Sequence, residues 1–247
     1  VPTAEFRFYA ALNDFLQVER RQRALAYAFT GTPSVKDAIE AIGVPHTEVD
    51  IVVVDGEPTD FRRRLRGGER VAVYPAFAAL DMAGVRRLRQ TPPGLPRFVL
   101  DVHLGVLARH LRLLGFDALY RTDYDDATIA ALARSESRIV LTRDRALLKH
   151  NAVASGHWLR ATQPHRQLEE VVRAFELADR LRPFTRCLRC NGLLQPVAKD
   201  EIAGRLPPRV EDGFDDFVRC RGCGQVYWRG THYQRLQRIV AATTGAP

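Results

Sequence analysis

Phe98-Val-Leu-Asp101 and Arg138-Ile-Val-Leu-Thr-Arg-Asp144-Arg145 are two short apolar runs that each end at an aspartate. Runs of this length and composition read as buried strands. Between them, Leu104, Leu107, Leu111 and Leu114 recur at helical spacing until Gly115 supplies a stop. Ala118-Leu119-Tyr120 is a short strand, and Asp123-Tyr-Asp125-Asp126 precedes a second helix with Ile129, Leu132 and Ala133 inward. Trp158 to Ala161 reads as a fourth strand and Arg166 to Arg182 as a helix with Leu168, Val171, Val172 and Phe175 on its core face. Strands alternating with helices predict a parallel, three-layered α/β domain over residues 97–182.

In such a sheet the carboxyl ends of the strands lie along one edge, and ligands bind there. Asp101 and Asp144 fall at strand ends and Asp126 opens the helix between them, so residues 43 apart in sequence are expected to meet. Clustered carboxylates repel one another unless a hard cation neutralises them, and Mg²⁺ or Mn²⁺ takes carboxylate oxygens together with substrate phosphates. The expectation is a metal-dependent nuclease site at Asp101, Asp126 and Asp144. Each aspartate taken singly also suits an N-cap or a turn. No carboxylate follows Asp144 before Asn151, so a further acidic ligand would come from Asp123 or Asp125, the alternatives being a site with a single metal or an inactive one. Arg143 and Arg145 flank Asp144, and Arg109 and Arg112 lie a turn apart on the helix after Asp101. All four are candidate phosphate contacts.

Downstream, the four cysteines form two pairs, Cys187-Leu-Arg-Cys190 and Cys220-Arg-Gly-Cys223, with 29 residues between them. Two-residue gaps turn both thiolates of a pair toward one ion, and four thiolates close the coordination sphere. This predicts a structural zinc ribbon over residues 183–247, with disulfides as the alternative. Arg186, Arg189, Arg219, Arg221 and Arg229 are interleaved with Tyr227 and Trp228. That composition suits single-stranded RNA, and equally suits aromatic packing of the ribbon against the central domain.

Upstream, residues 5–10 alternate with Phe6, Phe8 and Ala10 on one face, and Leu25 to Phe29 is a second strand candidate. Ser34-Val-Lys-Asp37 opens a helix as a capping box, and Asp50 to Val54 and Val71 to Tyr74 are further strands. This order is similar to the β-grasp of ubiquitin-like proteins, over residues 1–90. Sulfur carriers of that fold need a free carboxy-terminal Gly-Gly, whereas Gly67-Gly68 lies in a turn before the last strand. A binding or scaffolding module that meets a protein partner is the expectation. The cluster Pro92-Pro93-Gly94-Leu95-Pro96 disfavours both helix and central strand and marks a boundary.

The run from Phe98 to Asp117, the segment Arg138 to Arg145, Arg186-Cys187-x-x-Cys190-Asn191 and Cys220-x-x-Cys223-Gly224-x-Val226-Tyr227-Trp228 together resemble the PIN-type ribonuclease family named after the carboxy-terminal domain of the mutator exoribonuclease "mut-seven". The resemblance covers about residues 97–233. It implies RNA cleavage, tRNA and rRNA being candidate substrates, with Asp101, Asp126 and Asp144 as the acidic positions and Mg²⁺ or Mn²⁺ as cofactor. A β-grasp in front also occurs in the bacterial branch of that family. The rival expectation is a non-catalytic RNA- or ribosome-binding protein on the same fold.

The composition agrees with either. A formal net charge of +8 and an isoelectric point near 9.7 favour an anionic partner, and all but Lys36, Lys149 and Lys199 of the basic residues are arginine. With 46% hydrophobic residues the chain can form cores, and no apolar run approaches the roughly 18 residues of a membrane span. The start lacks the charged and apolar regions of a signal peptide, so a cytoplasmic location is the expectation.

Overall fold

A computed structural model describes residues 1–76, 87–88, 94–204 and 206–244. The strands are β1 (Thr3–Phe8), β2 (Ala24–Ala28), β3 (Val49–Val54), β4 (Glu57–Thr59), β5 (Arg70–Pro75), β6 (Arg97–Leu100), β7 (Asp117–Leu119), β8 (Ile139–Thr142), β9 (Gly156–Trp158), β10 (Leu194–Val197), β11 (Phe217–Cys220) and β12 (Val226–Trp228). The helices are α1 (Val35–Ile42), α2 (Gly105–Leu113), α3 (Asp126–Ser135), α4 (Pro164–Ala174), α5 (Pro208–Gly213) and α6 (Thr231–Thr244). These elements fall into two compact units, Val1–Pro93 with Asp126–Trp158 and Gly94–Asp125 with Leu159–Pro247. Pro92 and Pro93 of the expected boundary lie outside the described residues.

The first unit holds a five-stranded β-grasp sheet in the order β2-β1-β5-β3-β4. β1 runs parallel to β5, and the remaining pairs are antiparallel. Strict alternation in β1 sends Ala4, Phe6 and Phe8 to the core, and burying each phenyl ring contributes on the order of 2 kcal/mol. Ala10 departs from the expected face: the strand ends at Phe8, and Ala10 turns outward with φ 45°. The Ser34 capping box forms, with Ser34 Oγ accepting from the Asp37 N–H and Asp37 accepting from the Ser34 N–H, both at 3.1 Å. It aims Val35, Ala38 and Ile39 of α1 into the sheet.

In the same unit, α3, β8 and β9 follow. β8 is buried along its whole length and pairs parallel with β9. β9 sits two residues earlier than its hydropathy suggests. Glycine fits at its first position, where a Cβ would lie 2.5 Å from Leu148 Cδ2 and 3.3 Å from Val140 O of β8. Residues of this segment bond to the β-grasp: His46 Nε2 meets Val153 O at 2.9 Å, and Lys149 Nζ donates to Glu40 O at 2.9 Å.

The second unit pairs β6 parallel with β7 and packs α2 against β7 and α4. Leu104, Leu107, Leu111 and Leu114 are all buried, as their spacing predicts. Gly115 ends α2 at φ +92°, where any Cβ would come within 2.1 Å of Arg182 O. α4 is shorter than the apolar periodicity alone suggests, stopping at Ala174 before Glu176 takes φ 52°. A three-stranded antiparallel sheet, β10-β11-β12, forms the ribbon, and Val197, Ile202, Leu206 and Phe217 make its small core. Among the described residues no helix is long and apolar enough to cross a membrane.

Candidate functional site

The four cysteines converge. Their Sγ atoms all lie within 4.8 Å of one another, with Cys187 and Cys223 3.6 Å apart and Cys190 and Cys220 3.4 Å apart. A tetrahedral zinc with sulfurs at about 2.3 Å has sulfur–sulfur edges of about 3.8 Å, so the quartet can hold a zinc ion. Gly192 is required by that closeness, since a Cβ there would stand 2.9 Å from Cys220 Sγ. Burial raises the Cys187 thiol, but hydrogen bonds from Tyr227 Oη and from the backbone of Cys190 and Arg189 outweigh it and lower the pKa to about 7. Tyr227 Oη lies 3.1 Å from Cys187 Sγ, and burial followed by that contact pushes the phenol up. A lowered thiol beside a raised phenol fits the tyrosine as the donor in this contact. Sequence reasoning missed this contact, and its only signal is the spacing of Tyr227 from Cys223.

The ribbon is stitched to α2 and β7 by side chains that bridge the knuckle. Asn191, in the left-handed region at φ 72°, accepts from the Ala118 N–H at 3.0 Å and donates to Asp117 at 2.8 Å. Arg186 donates to Gly115 O at 3.2 Å and to Asn191 O at 2.9 Å. Arg112, expected on phosphates from its place on the helix, has a different role. It is 4% exposed, Nε donates to Ala118 O at 2.9 Å, and Nη1 donates to Leu188 O and Arg189 O at 3.1 and 3.0 Å. Burial lowers its pKa, while the nearby Cys187 and Cys190 sulfurs act in the opposite direction. A buried guanidinium needs partners for its donors, and the two carbonyls between the first cysteine pair are those partners.

The aspartates are distributed between the two units. In the second, Asp101 follows β6 half-buried, and its Oδ1 accepts from the Val102 N–H at 2.6 Å. In the first, Asp126 is the exposed first residue of α3. Asp144, also exposed, closes a turn after β8: its N–H donates to Thr142 Oγ1 at 2.8 Å and its Oδ1 accepts from the Ala146 N–H at 2.7 Å. Asp123 is exposed and doubly bonded to Arg121 at 2.8 and 2.7 Å, which lowers its pKa, and Asp125 is exposed. Among the described residues, the cysteine quartet is the one group of three or more His, Cys, Asp and Glu side chains gathered closely enough to hold a metal.

Of the two arginines beside Asp144, Arg145 is drawn into the β-grasp. Arg145 donates to Asp14 O at 3.1 Å and Phe15 O at 3.5 Å, and its guanidinium stands 4.1 Å from the Trp158 ring centroid and 5.2 Å from that of Phe15. Trp158 Nε1 donates to Arg143 O at 3.1 Å. The residues on both sides of Asp144 are thus tied down by Asp14, Phe15 and Trp158. Arg143 keeps an exposed side chain.

Arg109 lines an open cleft of about 690 Å³ in the second unit. One lip is the start of α2, from Val102 and His103 immediately after Asp101, and the other is Leu188 and Arg189 of the cysteine knuckle with Tyr227. A second depression of about 550 Å³ shares Val106, Arg109, Leu188, Gln225 and Tyr227 with it and extends along Trp228 to Arg235 of α6. Gly105 leaves room there for Tyr120, whose Oη would be 2.7 Å from a Cβ at that position and donates to Val102 O at 2.8 Å.

These parts define a composite protein, a β-grasp joined to a parallel α/β domain that carries a four-cysteine ribbon. The chain belongs to the Mut7-C RNase domain family, whose model matches residues 96–240, and the Mut7-C ubiquitin model matches residues 1–81. Membership supports a nuclease-like function in general terms. No curated protein matches the chain. Among solved structures, it is similar to small archaeal modifier protein 1 of H. volcanii, at 16% identity and a TM-score of 0.26, over 31% of this chain and 100% of that one.

Proposed function

We propose that the chain is a divalent-metal-dependent ribonuclease, with Asp101, Asp126 and Asp144 supplying the carboxylates for Mg²⁺ or Mn²⁺. In this reading residues 97–182 work as one catalytic domain between a β-grasp at 1–90 and a ribbon at 183–247 that a structural zinc holds folded. The observation that carries it is the place of Asp101, at the carboxyl end of a parallel strand and one residue before a cleft lined by arginines.

The donor set suits a hard cation. Carboxylate oxygens are the preferred ligands of Mg²⁺ and Mn²⁺, and backbone N–H groups orient one oxygen each of Asp101 and Asp144. Bound there, the cation supplies Lewis-acid stabilisation of phosphoryl oxygens and a nucleophile at neutral pH. The chain's own residues hold the cation, align the backbone through Arg109 and Arg143, and keep the Asp144 turn in place through Arg145. Four cysteine ligands leave zinc no open position, so its part is to fold a ribbon whose core is too small to stand alone.

The test is cleavage of tRNA, rRNA and unstructured RNA by zinc-loaded protein with Mn²⁺, with Mg²⁺ and with neither, in wild type, Asp101→Asn and Asp144→Asn. Divalent-dependent cleavage lost in both variants supports the reading. Absence of cleavage with either metal, alongside equal RNA binding by all three proteins, replaces it with the non-catalytic RNA-binding reading.

A further inference from the structure

We infer that the trough running from the start of α2, past the cysteine knuckle, to α6 is a track for single-stranded RNA, in which Arg109, Arg189 and Arg235 contact phosphates and Tyr227 and Trp228 stack on bases. This rests on the ribonuclease reading and specifies the form in which RNA reaches that site.

Charge is the first argument. The chain has 29 acidic residues, yet not one aspartate or glutamate lines either depression of the trough. Four arginines do, Arg109, Arg189 and Arg235 with the buried Arg112. A groove lined with one sign of charge concentrates the opposite sign, here a polyanion.

The condition of the arginines is the second. Among the described residues no side-chain hydrogen bond or ion pair engages Arg109, Arg189 or Arg235. Other arginines of the ribbon and its support are engaged: Arg112 and Arg186 on backbone carbonyls, Arg219 on Glu201 at 3.3 Å, and Arg221 on Gln195 at 2.8 Å. Three of the four arginines that line the trough are therefore available to a ligand, whereas Arg112, Arg219 and Arg221 are occupied.

Shape and chemistry of the floor supply the third. The two depressions share five lining residues, so they form one continuous path, and their volumes of about 690 and 550 Å³ accommodate a few nucleotides rather than one small metabolite. Tyr227 turns its hydroxyl to Cys187 and leaves its ring on the trough wall, and Trp228, half-buried and packed on the ribbon core, lines the second depression with the part of its ring that stays exposed. Aromatic faces beside arginines are the means by which proteins hold unpaired bases, whereas a duplex keeps its bases stacked inside and presents only phosphate and sugar. Single-stranded RNA uses both features of this trough, and a duplex uses one.

The experiment measures anisotropy of a fluorescein-labelled 12-nucleotide single-stranded RNA on full-length, zinc-loaded protein carrying Asp144→Asn to prevent cleavage, across a salt series. Arg109→Ala, Arg189→Ala and Arg235→Ala are each expected to weaken binding about fivefold at 0.1 M salt and to reduce the salt slope by about 0.7. Trp228→Leu is expected to weaken binding with the slope unchanged. Arg219→Ala should change neither affinity nor slope, and a duplex of the same sequence should compete at least tenfold more weakly. Slopes unchanged in the three trough variants, with zinc content and circular dichroism intact, would overturn the inference. So would equal competition by duplex, or by an acidic peptide, which would assign the trough to that ligand instead. Cleavage that survives Asp144→Asn defeats the catalytic reading and leaves the binding result standing. Lost cleavage with unaltered binding in the trough variants defeats this inference alone.

Discussion

Arg145 and Arg189 each lie one residue from a proposed or geometrically assigned metal ligand, yet they are used in different ways. Arg145 has two carbonyl partners and stacks against Trp158 and Phe15. Arg189 sits next to Cys190 and lines an open trough. The first arginine orders the protein, and the second is left open to a ligand. Basic composition near a site therefore does not identify a nucleic-acid contact, because donor occupancy decides. The β-grasp gains a physical role from the same comparison: through Asp14 and Phe15, with Trp158 packed against its core, it braces the turn that carries Asp144.

The largest effect that bears on this contrast comes from zinc. Structural zinc sites are worth on the order of 10 kcal/mol, and Cys220→Ser or chelation should unfold the ribbon and remove the trough's second lip. Near-UV circular dichroism of Tyr227 and Trp228 should collapse and RNA binding with it. The α1 helix and the β-grasp sheet should keep their hydrogen-exchange protection. Loss of protection throughout residues 1–76 on chelation would break the separation between the regions.

Next is Arg112→Ala, which leaves the carbonyls of Ala118, Leu188 and Arg189 without their donor. The Ala118 carbonyl is buried and the other two are part-buried, and a buried orphan costs about 1–3 kcal/mol, so a loss of about 3 kcal/mol in denaturant stability and weaker zinc retention are expected. Arg112→Lys should not restore either, since one ammonium cannot match the fork. Arg145→Ala should cost about 1–2 kcal/mol through two hydrogen bonds and the aromatic stack, and should leave the salt slope of RNA binding unchanged. Arg109→Ala should do the reverse, changing the slope and not the melting temperature. A slope that falls with Arg145→Ala would place Arg145 among the RNA contacts and erase the distinction.

How much of this was legible beforehand follows from what each feature depends on. The β-grasp core of Phe6, Phe8, Val35 and Ile39 and the α2 face of leucines depend on periodicity, and both are where hydropathy puts them. The zinc quartet depends on spacing within two knuckles, which the sequence displays. The start of β9 has no such signal, because Gly156 and His157 are poor strand formers and the approach of Leu148 and Val140 that favours glycine there is a tertiary contact. The fates of Arg112 and Arg145 were hidden for a related reason. Their partners are backbone carbonyls 76 and 130 positions away, and carbonyls carry no sequence signal. Arg235 was overlooked because nothing in α6 marks it as facing the trough.

The smallest expected effect isolates the first unit. Ser34→Ala removes the side-chain acceptor of the Asp37 N–H and should cost about 1 kcal/mol. The hydrogen bond from Ser34 is the largest cause of the lowered Asp37 pKa, ahead of the opposing burial. A carboxylate whose folded pKa is depressed contributes stability above its unfolded value and loses it as pH falls through the folded one. Ser34→Ala should therefore destabilise most at neutral pH, with the difference from wild type shrinking as pH falls below the ordinary carboxylate range and through the lowered folded pKa of Asp37. Urea titrations at pH 7 and pH 3 measure that difference, and a gap that persists at pH 3 would assign the loss to the serine hydroxyl alone. RNA affinity and its salt slope should not move at either pH. The cap belongs to the region that orders the chain, and the trough does not depend on it.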